Sequence, residues 1–241
     1  PHMGQLVTSP TMLIGHYAPA LALRSRFPLV PLWVLFVGVQ LVDFGWAIFV
    51  TLGIERASLV PGFTESNMLN LEFMPYTHSL VAAGLWAACF GAIVAWRYGA
   101  GGKRLLAGVV GAAAVASHWL LDLPVHVADL PLAGDPGPKA GFGLWNHREL
   151  AFALEFALTA AALWLYARQT AARVSNGQRW LIGFAVVLLG ITLSSYYGPQ
   201  PRDMAAMTGA QLGLYTGLAS LAAQVDRRRS STLKPSGTPP L

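Results

Sequence analysis

The sequence predicts an all-α fold, that of a polytopic helical membrane protein, and three observations lead to this class. Hydrophobic residues make up 54% of the 241 residues and charged residues only 11%, whereas a soluble domain has about 25% charged residues. Apolar stretches of about 20 residues, the length at which a helix crosses a bilayer, recur along the chain. The basic residues lie mostly in the short segments between these stretches, as expected of loops that set membrane topology.

Six transmembrane helices and a shorter N-terminal helix account for the apolar pattern. The predicted crossings are residues 29–52, 78–96, 105–123, 149–166, 180–197 and 204–225. The N-terminal helix, residues 12–23, is too short to span alone, so we expect a half crossing, or a full one if the preceding residues join it. Residues 1–11 are then a tag remnant and N-terminal extension, residues 12–225 a single membrane domain, and residues 226–241 a disordered basic tail.

Basic residues alternate with the predicted crossings and so indicate their orientation. Arg24 and Arg26, the loops 97–104 and 168–179, and the C-terminal tail are basic, and the positive-inside rule places them in the cytoplasm. We interpret the net charge of +5 as this topology signal and expect no nucleic-acid partner. The single cysteine, Cys89, lies within an apolar stretch, which argues against a disulfide framework or a thiolate metal cluster.

Residues 117–126 contain the clearest chemical motif, Ser-His-Trp-Leu-Leu-Asp-Leu-Pro-Val-His. His118 and Asp122 are one helical turn apart and therefore share a face. We expect Pro124 to stop the helix and His126 to lie just beyond it. An imidazole and a carboxylate on one face form half of a metal site. For this motif alone, a polar and solvated helix end is an equally good interpretation.

The predicted topology brings more polar residues to the outer side, where this motif lies. His78 begins one crossing there and His147 opens another, while His16 and Asp43 lie partway into the membrane. A lone histidine at a helix end is more often bonded to backbone than to a metal. Asp43 is harder to explain in that way, because a carboxylate within an apolar helix costs about 2.5–3.5 kcal/mol. It needs a cation, a metal or a water-filled pocket.

Three residues are candidates for proton transfer or for additional metal ligation: His126, His147 and Glu155. His147 also suits a polar helix N-terminus. Glu155 has an alternative partner in Arg148, which lies seven residues earlier and nearly on the same helical face. The polar residues of the loop after His126 are expected to be solvated: Asp129, Asp135 and Lys139.

Several histidines and two aspartates in one place suit a divalent metal, with zinc preferred, manganese as the alternative, and one to three ions. Zinc with an open coordination position lowers the pKa of bound water to about 7. We therefore expect a zinc-type, phosphoesterase or phospholipase C-like hydrolase that acts on a membrane phospholipid or a small phosphoester by metal-activated water. The alternatives are a metal-dependent transporter or sensor without hydrolytic activity, and a structural membrane protein whose histidines bind nothing.

Four short blocks resemble the YdjM-like inner-membrane metal-dependent hydrolases. They read Gly-His-Tyr-Ala around His16, Gln-Leu-Val-Asp ending at Asp43, Pro-Tyr-Thr-His-Ser around His78, and Ser-His-Trp-Leu-Leu-Asp from Ser117 to Asp122. The resemblance covers residues 13–166. It implies that the metal ligands are His16, Asp43, His78, His118 and Asp122. It also implies a hydrolase of the bacterial inner membrane, which the predicted topology would orient with its site facing the outer side.

The chain departs from this family pattern at two places. It has Asp-Phe-Gly at residues 43–45 where the family has Asp-x-Asp-His, and Phe-Met-Pro at residues 73–75 where the family has His-Arg-Gly, so His126 or His147 would replace the missing ligands. The order of the His and Asp blocks is also similar, more distantly, to that of zinc-dependent phospholipases C, whose last block is His-x-x-x-Glu. Ala151 takes the Glu position here, so a third zinc would need Glu149 or Glu155.

Overall fold

The computed structural model describes residues 14–232, and 64% of the chain is helical. The helices are α1 (Tyr17–Arg26), α2 (Leu32–Val39), α3 (Leu41–Thr51), α4 (Leu80–Tyr98), α5 (Arg104–Val125), α6 (Arg148–Gln169), α7 (Gly177–Tyr197) and α8 (Met204–Arg227). The predicted extension at residues 1–11 and the tail from residue 233 onward lie outside the described residues. The all-α class predicted from composition agrees with this helical architecture.

Four helices in the described part of the chain, α4 to α7, are long and apolar enough to cross a membrane. A fifth crossing is formed if α2 and α3, which meet at Gln40 with a bend of 49°, act as one span. The expected six crossings are thus met only in part. The remaining helix, α8, has 24 residues, but its polar residues, which include Gln211 and Asp226, lower its hydropathy. The first helix, α1, has 10 residues and cannot span alone.

The core of the bundle forms where α1 packs against α2 and α6, and α2 packs against α8. Asp226 of α8 ties these elements together near the last turn of α1. Its Oδ1 accepts hydrogen bonds from Nε of Arg24 at 2.7 Å and from the hydroxyl of Tyr166 at 3.1 Å, and its Oδ2 accepts one from the amide of Leu32 at 3.2 Å. One carboxylate therefore holds four helices at the end where the basic residues of α1 lie.

Helices α4 and α5 form a tightly packed antiparallel pair because glycines lie at their contact. A Cβ atom added at Gly91 would lie 2.8 Å from the carbonyl oxygen of Gly108, and one at Gly111 would lie 2.8 Å from Cβ of Val94. Side chains at these positions would push the helices apart, so the small residues allow the backbones to approach. The pairing fixes the position of α5, which carries His118 and Asp122.

Two short hairpins cover the other end of the bundle. They are β1 (Arg56–Leu59) with β2 (Leu69–Phe73), and β3 (Leu130–Pro131) with β4 (Lys139–Ala140). Leu69, Leu71 and Leu130 are buried against Trp46 of α3 in one apolar cluster. We call these two hairpins the cap, because they close the end of the bundle at which the polar residues converge.

A third hairpin moves the end of the ordered domain beyond the boundary that we expected at residue 226. Strands β5 (Thr170–Ala172) and β6 (Arg229–Ser231) pair antiparallel after the C-terminal ends of α6 and α8. The physical reason is the side chain of Arg229, which is buried and donates to the hydroxyl and the carbonyl of Thr170, both at 2.7 Å. The start of the predicted tail is therefore part of the fold.

Candidate metal centre

A cavity of about 30 Å³ lies between the helix ends and the cap. Its lining residues are His16, Asp43, Trp46, Leu69, Leu71, His78, Asp122, His126, Trp145 and Gln211. Five of these were candidates in the sequence, and a sixth candidate, His118, contacts both aspartates of the cavity wall. A volume of this size has room for an ion or water.

Helix α5 supplies His118 and Asp122 from successive turns of one face, and His126 follows directly after its last residue. Nε2 of His118 lies 3.3 Å from Oδ2 of Asp122, and Nε2 of His126 lies 3.5 Å from Oδ1 of Asp122. The expectation that Pro124 stops the helix needs a small correction, because α5 runs to Val125 and includes the proline. The amide of His126 still donates to the carbonyl of Asp122 at 2.9 Å, which keeps His126 in helical register with Asp122.

The other polar side chains come from three different elements. His16, at the N-cap of α1, has its Nε2 3.1 Å from Oδ1 of Asp122, and its ring stacks on that of His118 with centroids 4.0 Å apart. Asp43 lies in the first turn of α3, directly after the break at Gln40. His78 precedes α4, and its Nε2 lies 3.2 Å from Oδ1 of Asp43.

Three of the histidines use Nδ1 for a partner outside the cavity and point Nε2 at the aspartates. The Nδ1 contacts are His78 with Oγ1 of Thr77 at 2.8 Å, His118 with the carbonyl of Val39 at 2.6 Å, and His126 with Oδ1 of Asp129 at 2.9 Å. A backbone carbonyl only accepts, so Nδ1 of His118 carries a hydrogen, and the ring when neutral would offer its Nε2 lone pair to a metal. Histidines that bind metals usually show this arrangement, in which an outer acceptor fixes the tautomer.

The two aspartates are satisfied to different degrees. Oδ2 of Asp43 accepts a hydrogen bond from the hydroxyl of Tyr215 at 2.9 Å. Asp122 is 2% exposed, and among the described residues its Oδ2 makes no hydrogen bond of good geometry, although Nε2 of His118 lies 3.3 Å away. Burial of a carboxylate oxygen without a donor is costly, and a cation would remove that cost. The site residues therefore fit a metal ion.

Ligand atoms gather in two overlapping groups, each within 4.8 Å. The groups are His16, His118 and Asp122, and Asp43, His78 and His118. These are the five residues that the family resemblance suggested as ligands, and the fold brings them together from α1, α3, α5 and the loop before α4. The protein thus has His/Asp groups that could hold a metal ion, as the sequence predicted at this coarser level.

The other two candidates from the sequence lie elsewhere. His147 is exposed at the start of α6 and, in the described part of the chain, does not line the cavity. Glu155 is fully buried, and its Oε1 accepts from the amides of Ile14 at 2.7 Å and Gly15 at 3.0 Å. The alternative partner Arg148 instead donates through Nε to the carbonyl of Glu65 at 2.7 Å. Glu155 therefore anchors the start of α1 beside His16.

Sequence reasoning missed the residues that orient the cluster. We expected Asp129 in a solvated loop, but it is buried. Its carboxylate accepts a hydrogen bond from the ring of His126, three residues earlier. Burial alone would lower the pKa of His126, but the carboxylates of Asp122 and Asp129 outweigh it and raise the pKa to about 9. Metal binding at His126 would therefore compete with protonation of its ring. Tyr215 and Gln211 of α8 have no signal in the sequence that links them to the site.

Comparison of the chain with protein-family models, curated proteins and solved structures gives no match. The resemblance to the YdjM-like hydrolases therefore remains a prediction. The fold and the site define a helical protein with candidate membrane spans and a buried His/Asp cluster that could hold a metal ion.

Proposed function

We propose that this protein is a membrane-embedded, metal-dependent hydrolase that acts on phosphoester or phospholipid-type substrates. The observation that carries the proposal is the orientation of the histidines. His78, His118 and His126 each engage an outer partner through Nδ1 and direct Nε2 toward Asp43 or Asp122. The two carboxylates are costly to bury without a counter-charge, and a cation bound by these Nε2 atoms would supply it.

The donor set favours zinc over manganese. Imidazole nitrogens suit zinc, whereas manganese prefers a shell dominated by carboxylate, carbonyl and water oxygens. Four imidazole rings and two carboxylates surround this cavity: His16, His78, His118, His126, Asp43 and Asp122. Cysteine does not contribute, because the single Cys89 is exposed on α4.

The arrangement of oxygens around Asp122 supports two ions. Each Nε2 lone pair binds one ion only, but a carboxylate can bridge two. Oδ1 of Asp122 faces His16 and His126, and its Oδ2 faces His118. His118 lies in turn 3.5 Å from Oδ1 of Asp43. His16, His126 and Asp122 would then hold one ion, and His118, Asp43 and His78 would hold a second.

Hydrolysis is the chemistry that such a site performs. A bound divalent ion lowers the pKa of water and polarises a phosphoryl or carbonyl oxygen, and a pair of ions about 3.5–4 Å apart favours in-line attack at phosphorus. The chain itself holds the ligands rigidly through their outer partners and excludes bulk water with Trp145 and the cap. The cavity is large enough for ions and water but not for a headgroup, so a substrate would need the cap, whose Leu69 and Leu71 line the cavity, to give it more room.

The orientation that we propose is a bacterial inner-membrane protein with its site on the outer side. Most of the basic residues in the described part of the chain support it, because they lie at the helix ends away from the cavity. Those at the cap end include Arg56, Lys139 and Arg148. Arg24 is in the last turn of α1 while His16 is at its first, and Arg104 begins α5 while Asp122 is near its end. Positive charge at one end of each helix and the site at the other agree with the positive-inside rule.

Metal content of the purified protein, measured by elemental mass spectrometry, is the test. We expect about two zinc ions per chain, and loss of metal in Asp122→Ala and in His118→Ala. Glu149→Gln is the matched control, because Glu149 is exposed near the same end of the bundle and should leave metal content unchanged. Wild-type protein without stoichiometric metal, even after reconstitution with zinc, would refute the proposal.

Activity assays then separate the hydrolase from the alternative of a transporter or sensor. Metal-loaded protein should release phosphate or a phosphorylated headgroup from phospholipid vesicles, and the Asp43→Ala variant should not. Metal or solute flux into sealed proteoliposomes, with no hydrolysis of any phosphoester, would favour transport. The structure makes that outcome unexpected, because buried aromatic residues such as Tyr17, Phe36 and Phe184 fill the bundle core, whereas a transporter site is reached from both sides.

A further inference from the structure

One buried carboxylate near the centre has no role in the function proposed above. Glu55 follows α3 and is 1% exposed. Its Oε1 accepts hydrogen bonds from the amides of Tyr76 at 2.9 Å and Thr77 at 3.0 Å, and its Oε2 accepts one from the hydroxyl of Thr77 at 2.7 Å. Glu55 does not line the cavity. Two of its three hydrogen bonds go to Thr77, the residue directly before His78, and the third goes to Tyr76.

The hydroxyl of Thr77 connects Glu55 to His78. Oγ1 of Thr77 lies 2.8 Å from Nδ1 of His78. A threonine hydroxyl has a single hydrogen, and here that hydrogen is donated to Glu55. The same oxygen can then only accept, so Nδ1 of His78 must be the donor. Nδ1 therefore carries a hydrogen, and Nε2, which lies 3.2 Å from Oδ1 of Asp43, is the nitrogen left to bind a cation.

His78 needs this additional control because its outer partner is of a different kind from those of the other histidines. His118 donates to a backbone carbonyl and His126 to the carboxylate of Asp129, and both groups are acceptors under all ordinary conditions. A hydroxyl either donates or accepts. Thr77 by itself would permit both tautomers of His78, one of which places a hydrogen on Nε2 and blocks a metal.

We propose that Glu55 is a positioning residue which, through Thr77, sets the tautomer of His78 and keeps its Nε2 free to bind a cation. The proposal deepens the function given above and rests on it only in the identity of the ligand that Nε2 binds. Outer partners of this type typically contribute about 10–100-fold to metal affinity. A purely structural role for Glu55, as an acceptor for the two loop amides, would not require the third hydrogen bond.

Glu55→Gln is the informative variant because it preserves shape and reverses one hydrogen bond. The amide oxygen takes the place of Oε1 and still accepts from both backbone amides. The amide nitrogen takes the place of Oε2 and donates to Thr77, so the threonine hydroxyl turns and donates to Nδ1 of His78. We expect Nδ1 of His78 to lose its hydrogen while Nε2 keeps one, and zinc affinity to fall about 10–100-fold, with the unfolding transition little changed.

Two measurements on detergent-solubilised protein test this. Nitrogen-15 NMR of histidine-labelled, metal-free protein reports whether Nδ1 of His78 carries a hydrogen, with His78→Ala used to assign the signal. Zinc titration reports affinity. Thr77→Ser keeps the hydroxyl and should behave as wild type, whereas Thr77→Val removes it and should weaken zinc binding. Glu72→Gln is the matched control, since Glu72 lies on β2 and is exposed, bonded only to Ser58 among the contacts described.

A wild-type tautomer and wild-type zinc affinity in Glu55→Gln would overturn the proposal, as would unchanged affinity in Thr77→Val. The NMR measurement separates this from failure of the proposed function. If wild-type protein binds no zinc but Glu55→Gln still changes the tautomer of His78, the function is wrong and the control of His78 by Glu55 is right. If zinc binds to the wild-type protein and the tautomer of His78 does not depend on Glu55, the proposed function stands and the control of His78 by Glu55 is wrong.

Discussion

Glu155 offers the sharpest test of how the fold supports the site, because two different roles for it predict different results. The carboxylate is fully buried in α6, and its Oε1 accepts the amides of Ile14 and Gly15 immediately before His16. Glu155→Ala removes that acceptor. The two amides then lose their hydrogen bonds at the point where α1 begins, and the anchor that holds His16 against Asp122 is lost.

The magnitude follows from the two buried donors. A buried N–H group left without a partner costs about 1–3 kcal/mol, so Glu155→Ala should lower the free energy of unfolding by about 2–6 kcal/mol. Glu155→Gln keeps an oxygen for the same amides and loses only the charge assistance, so its cost should be about 1–2 kcal/mol. Zinc affinity should fall more in Glu155→Ala than in Glu155→Gln, because the start of α1 positions His16.

Chemical denaturation in detergent, together with zinc titration and the hydrolysis assay, checks this prediction. Glu149→Gln, on the exposed part of the same helix, should change the free energy of unfolding by no more than about 0.5 kcal/mol. Unchanged stability in Glu155→Ala would refute the anchoring role. Abolished hydrolysis in Glu155→Gln, with stability and zinc affinity intact, would instead identify Glu155 as the proton-transfer residue expected from the sequence.

Two further variants examine the surroundings of the centre. Asp226→Ala leaves the donors of Arg24, Tyr166 and Leu32 without their acceptor, so the free energy of unfolding should fall by about 3–5 kcal/mol while zinc affinity stays constant. Denaturation curves and zinc titrations on one preparation measure both quantities. Unchanged stability with weakened zinc binding would contradict this prediction. Asp129→Asn weakens the acceptor of His126 and should lower zinc affinity about 10-fold. Asp135→Asn, in the same loop but paired with Lys139 at 3.1 Å, should not, and equal affinities in the two variants would argue against His126 as a ligand.

The sequence was sufficient for the parts of the site that depend on local geometry and on topology. His118 and Asp122 share a face because they are one turn apart, and the structure keeps them within 3.3 Å. Alternation of apolar and basic segments predicted that His16 and His78 would lie at the same end of the bundle, and both reach the cavity. These inferences needed only helical periodicity and the sign of the loop charges.

The partners that orient the cluster were beyond that reasoning because they are set by packing between distant segments. Tyr215 reaches Asp43 from a helix 172 residues away in sequence, and Glu55 reaches Thr77 from 22 residues away. Glu155 was predicted to be functional for a sound reason, the cost of burying a carboxylate. Burial alone, however, does not distinguish a catalytic group from one that binds backbone amides.

The break between α2 and α3 shows why the fold and the centre cannot be separated. The sequence predicted one continuous crossing at residues 29–52, but the chain bends by 49° at Gln40. The last carbonyls of a helix lack partners within it, and within a membrane such groups must be satisfied by the protein. The carbonyl of Val39 is satisfied by Nδ1 of His118, while the new N-terminus of α3 favours the negative charge of Asp43 in its first turn. The interruption thus supplies both an orienting acceptor for one ligand and a favourable position for another, so a continuous helix here would stabilise the span and dismantle the site.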